Sequence, residues 1–129
     1  MFFSETLTHG VRIKVRAKFC PEHSEPEKKF WFYQYTVTII NESDDTVQLI
    51  GRHWHISDSN GQTEEVVGKG VIGKQPVLEP GKSFTYSSNC PLSTELGSMY
   101  GCFQMVTKDG EEFDANIAPF TLSQPHLIN

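Results

Sequence analysis

The sequence predicts an all-β protein, an antiparallel β-sandwich of about seven strands of the immunoglobulin or fibronectin type III kind. Three observations carry this. Val11 to Phe19 alternates apolar and basic residues without a break. Turn signals recur at the short spacing that separates strands. No stretch of ten residues has the 3.6-residue period of a helix.

Along the chain each element has its own reason. Val11, Ile13, Val15, Ala17 and Phe19 share one face of the first strand, and Arg12, Lys14, Arg16 and Lys18 the other. A polar loop with Pro21 and Pro26 follows. Phe30 to Asn41 is aromatic and β-branched, with Tyr35, Val37 and Ile39 on one face. Asn41 to Asp45 supplies a turn. Val47 to Ser57 changes apolar parity near Gly51, from Val47 and Leu49 to Trp54 and Ile56, which predicts a bulge or bend.

Asn60-Gly61 predicts a type I′ hairpin into Thr63 to Val67. Gly68 to Gly81 reads as a long ordered loop, and Lys82 to Ser87 as a short strand with Phe84 and Tyr86 inward. Asn89 to Gly97 reads as another loop. Tyr100 to Lys108 and Glu111 to Ile117 flank the hairpin signal Asp109-Gly110. Pro119 shifts parity again, to Phe120 and Leu122, and places this strand at an edge or a bend.

The composition fits one globular domain over residues 1–129. A net charge of −5 argues against nucleic-acid binding as the main role, because that binding neutralises phosphates. Three cysteines, Cys20, Cys90 and Cys102, have no C-x-x-C spacing and point to neither a disulfide framework nor a thiolate zinc site. Residues 1–10 lack the pattern of a signal peptide, and no apolar run is long enough to span a membrane. The expectation is a cytoplasmic protein that needs no cofactor.

Two candidate sites stand out. Gly68-Lys69-Gly70-Val71-Ile72-Gly73 matches G-x-G-x-x-G, but Pro76 and Pro80 forbid the helix that a dinucleotide fold would place after it. Two readings of Gly68, Lys69, Gly70, Gly73 and Lys74 remain: a structural loop, or an anion-binding nest of backbone N–H groups helped by the lysines. The second candidate is His53-x-His55: two imidazoles on one face of a strand could share a metal, but nothing nearby in sequence completes a ligand set, and the favoured reading has no metal, with Trp54 and Ile56 in the core and the histidines on the solvent face. The Arg12 to Lys18 stripe reads as a charged outer face. Glu64 and Glu65 point to opposite faces and form no acid/base pair. No nucleophile elbow or zincin motif is present. Buried, unreactive cysteines are expected.

These residues carry a resemblance. Gly68-x-Gly70-Val71-Ile72-Gly73-x-Gln75-Pro76, Leu78-x-Pro80-Gly81 and Phe84-x-Tyr86-x-Ser88 resemble the signature of the ApaG family. Arg52-x-Trp54-x-Ile56, Met99-x-Gly101 and Phe113-x-Ala115-x-Ile117-x-Pro119-Phe120-x-Leu122 extend the likeness over nearly the whole chain. The resemblance implies a fibronectin type III-like sandwich. It implies no defined reaction and so no catalytic residues. Members are often encoded beside a dinucleoside tetraphosphate hydrolase and are linked to cobalt and magnesium tolerance. Some eukaryotic F-box proteins carry a similar domain. The expectation is a non-enzymatic module that binds a protein partner. The alternative is a binder of phosphate, pyrophosphate or dinucleoside polyphosphate through the glycine-rich loop.

Overall fold

The computed structural model describes residues 1–124. Nine strands run in order: β1 (Phe2–Thr8), β2 (Val11–Phe19), β3 (Trp31–Asn41), β4 (Val47–Asp58), β5 (Thr63–Lys69), β6 (Val77–Leu78), β7 (Ser83–Leu92), β8 (Leu96–Thr107) and β9 (Glu112–Ser123). One antiparallel sheet has the order β1-β2-β3-β7; the other has the order β5-β4-β8-β9, with β6 added to β4. The sandwich predicted from sequence is present. Among the described residues no helix is long and apolar enough to cross a membrane.

The inner layers meet in an aromatic cluster. Tyr35 of the first sheet lies 5.3 Å from Trp54 and 6.1 Å from Phe120 of the second, and Tyr86 lies 6.4 Å from Phe103. The edge-on arrangement of Tyr35 on Trp54 is the one favoured by ring quadrupoles. Around it sit Ile13, Val37, Ile39, Leu49, Met105 and Leu122, all at most 1% exposed.

Both parity changes are bulges. In β4 the register slips between Leu49 and Gly51, leaving Ile50 as the extra residue opposite β8. In β8 it slips between Met99 and Gly101, opposite Pro119 of the edge strand β9. Gly101 lies so close to β4 that an added Cβ would stand 2.0 Å from the His53 carbonyl oxygen.

The structure corrects four readings. Phe2–Thr8 is a strand, paired with β2 along its whole length, where the sequence had offered no element. Asn89 to Leu92 extend β7 and pair with β3, and Leu96 and Gly97 begin β8, so only residues 93–95 form the expected loop. Cys90 and Leu92 are buried at alternate positions, and that packing outweighs the turn propensity of Asn89 and Pro91. Gly68 and Lys69 belong to β5, and Val77 and Leu78 form β6, so the long loop shrinks to a tight turn. The hairpin at Asn60-Gly61 is not type I′, since of these two only Gly61 has positive φ. Asp58 N–H donates to the Gln62 carbonyl across a three-residue loop, and the Asp58 carboxylate accepts from the N–H groups of Asn60 and Gln62.

Candidate functional site

The bulge in β4 builds the site. Before it, odd-numbered residues face the core; after it, even-numbered ones do. Arg52 therefore turns to the inner side, beneath its β5 partner Gly68, where an added Cβ would meet the guanidinium at 2.6 Å. His53 and His55 turn to the outer face, as the sequence predicts for their spacing.

Arg52 anchors the glycine-rich turn. Its Nη1 donates to the Gly70 carbonyl at 2.9 Å and to the Lys69 carbonyl at 3.3 Å. The bulged Ile50 carbonyl accepts from Gly70 N–H at 2.8 Å and from Gln75 Nε2 at 2.9 Å. Val71 and Lys74 exchange two backbone hydrogen bonds of 2.8 Å each and close a two-residue turn. Ile72 and Gly73 occupy it with φ of 43° and 77°, the left-handed pair that a type I′ turn requires. Gly70, at φ 65°, has no room for a side chain, because a Cβ would meet the Lys74 carbonyl oxygen at 2.4 Å.

The turn holds its donors inward. Gly70, Val71 and Lys74 N–H groups are all bonded to backbone carbonyls. Ile72 and Gly73 N–H groups make no backbone bond among the described residues, and Lys69 and Lys74 are exposed beside them. The surface also carries apolar side chains: Val67 is 72% exposed, Val77 59% and Ile72 56%. Ile72 is the odd member, a β-branched residue in a left-handed conformation with most of its side chain in solvent.

Strand pairing brings a third polar group to the histidines. Glu65 sits opposite His55 in the β4–β5 register, and its Oε1 lies 2.8 Å from His53 Nε2 and 3.5 Å from His55 Nδ1. Spacing along one strand gives the two histidines no such neighbour; the hairpin brings Glu65 from ten positions away in the chain. The imidazoles stack at 4.4 Å, and Tyr100 of β8 stacks on His55 at 4.7 Å and 8°.

The other candidates have structural roles. Arg12 bonds Glu42 at 2.6 Å and Glu5 at 2.7 Å, and its guanidinium holds the Glu42 carboxyl below its usual range. Cys20, Cys90 and Cys102 are free thiols. Burial pushes Cys90 up to about 12, with the charge of Glu64 adding to it, and burial also raises Cys20 and Cys102.

Comparison with known proteins agrees with this architecture. The ApaG domain family matches residues 21–107. A protein named ApaG from Beijerinckia indica is 50% identical over 120 residues, 93% of this chain and 92% of its own length. Its namesake from Anaeromyxobacter dehalogenans is 48% identical over 126 residues, 98% of this chain and 99% of its own. The crystal structure of the putative ApaA protein from Bordetella pertussis superposes with a TM-score of 0.86 at 38% identity, covering 95% of each chain. Identity of this order over nearly the whole chain, together with the shared sandwich, shows that this chain belongs to the ApaG family.

Proposed function

We propose that this domain is a non-catalytic binding module that docks a protein partner on the glycine-rich turn and the adjoining edge strand β5. The observation that carries the reading is Ile72. An exposed isoleucine in a left-handed turn contributes little to stability, and a residue held against its conformational preference is a marker of function. Val67 and Val77 extend the apolar surface on either side of the turn. The Arg52 and Gln75 bonds fix the turn in advance, which lowers the ordering cost of association. Among the described residues β5 ends its sheet and offers an unpaired backbone edge for a partner strand.

Anion binding at the same turn is the competing reading. It needs converging N–H donors, and three of the turn's amides already bond carbonyls. The test places a photo-crosslinking amino acid at Ile72, at Val67 and, as a control on the other sheet, at Phe3. The expected result is one protein adduct at the first two positions and none at Phe3, unaffected by added pyrophosphate or dinucleoside tetraphosphate. Equal adducts at all three positions would refute the docking surface. Loss of adducts on adding the polyphosphate would favour the anion reading.

A further inference from the structure

On the outer face of β4 and β5, His53, His55 and Glu65 each present one ligand atom, and these atoms all lie within 4.8 Å of one another. In a tetrahedral site with bonds of roughly 2.0–2.2 Å, neighbouring donor atoms stand about 3.3–3.6 Å apart. The 3.5 Å from Glu65 Oε1 to His55 Nδ1 lies within that range, and the 2.8 Å hydrogen bond between His53 Nε2 and Glu65 Oε1 would open by about 0.5 Å to admit an ion.

We infer that His53, His55 and Glu65 form a binding site for a divalent late first-row metal ion such as Zn²⁺, Ni²⁺ or Cu²⁺. Two imidazoles and one carboxylate select ions of this class, while Mg²⁺ and Ca²⁺ prefer oxygen donors throughout. Three protein ligands on a half-exposed face leave the fourth position to water.

The scaffold supports the site on two strands whose register is set by the hairpin. His53 and His55 are two residues apart and so share a face, and the carboxylate arrives from the residue paired with His55. Tyr100 packs flat on His55 and fixes its ring. The two imidazoles lie stacked with 27° between their planes, so convergence on one ion takes a turn of the His53 ring about χ2, a soft torsion. Bound there, the ion would tie edge strand β5 to β4 by a second means besides the backbone ladder. This site is separate from the docking surface in its chemistry, and either proposal can fail without the other.

The test uses untagged, full-length protein and Zn²⁺ itself. Calorimetry should give one saturable site, and NMR should show the side-chain signals of His53 and His55 shifting together. His53→Gln, His55→Gln and Glu65→Gln should each weaken binding by roughly tenfold or more. Zn²⁺ should raise the thermal midpoint of the wild type and not that of the His53→Gln/His55→Gln double variant, whose unliganded midpoint reports whether it folds. Mg²⁺ should leave the histidine signals in place. Wild-type affinity in the histidine variants, or no saturable binding at millimolar Zn²⁺, would overturn the assignment.

Discussion

Replacing Ile72 with Asn should make the protein more stable. An L-residue in the left-handed region costs about 1–2 kcal/mol, and Asn tolerates that region while Ile does not. Against this stands the packing that Ile72 contributes. Full burial of an Ile side chain is worth about 1.5–3 kcal/mol, and with 56% of Ile72 exposed the loss is about 1 kcal/mol. The net expectation is a gain of up to about 1 kcal/mol, or up to about 4 °C in Tm for a chain of this size. Urea denaturation followed by far-UV circular dichroism measures it, with the slope of the transition checked for constancy. Ile72→Val keeps the backbone conformation and should gain nothing. Ile72→Gly relieves it but enlarges the unfolded ensemble, so it should lie between the two. A loss of about 1 kcal/mol or more in Ile72→Asn would show that side-chain contacts outweigh backbone conformation at this turn, and would remove the argument that Ile72 is kept for binding.

Other perturbations probe the rest of the scaffold. Arg52→Ala removes both bonds to the Gly70 and Lys69 carbonyls and should cost about 2–3 kcal/mol, with faster hydrogen exchange at the Gly70 amide than at core amides of β3. Gly101→Ala forces a Cβ into the His53 carbonyl in mid-sheet and should cost about 3 kcal/mol or more; a Tm within about 2 °C of wild type would refute the close approach. Glu42 titrates below its ordinary 4.5 because Arg12 bonds it, so its contribution is present above that pH and lost as pH falls below it. The stability difference between wild type and Glu42→Gln should therefore be visible at pH 7, shrink with salt, and vanish in acid. A maleimide should label Cys102, the half-buried thiol, well before Cys90 and Cys20 in native protein, and equal rates would contradict the burial of the last two.

Much of the fold could be read from alternation. β2 runs from Val11 to Phe19, and the bulge falls at the parity break beside Gly51, because inward and outward residues differ in polarity there. β1 escaped notice since both of its faces mix polar and apolar residues; its Phe3 and Leu7 are exposed. Turn chemistry misled where side chains intervened. The Asp58 carboxylate satisfies the amides of a three-residue loop at Asn60-Gly61, and the type I′ geometry went instead to Ile72-Gly73. That difference matters to the site. A two-residue turn would set His55 opposite Val66; the three-residue loop sets it opposite Glu65. The His–His–Glu cluster is thus a property of register, which residue spacing along one strand cannot reveal. The role of Arg52 was equally hidden, because only the bulge turns it inward.

The first and last strands also meet. Thr6 Oγ1 donates to the Asn116 carbonyl, and Asn116 N–H donates to Thr8 Oγ1 at 3.2 Å, so β1 and β9 are stitched together across more than a hundred residues of sequence. Residues 21–107, the span matched by the family, contain neither of these strands. A fragment cut at those bounds would lack the whole of β1, β2 and β9 and would leave Ile13, Val15, Ala115, Ile117 and Leu122 out of the core they help to fill. On the ribosome the same seam means that the sandwich cannot close until β9 has emerged. Its folding is therefore a late, long-range event, and the exposed β8 edge must be guarded until then.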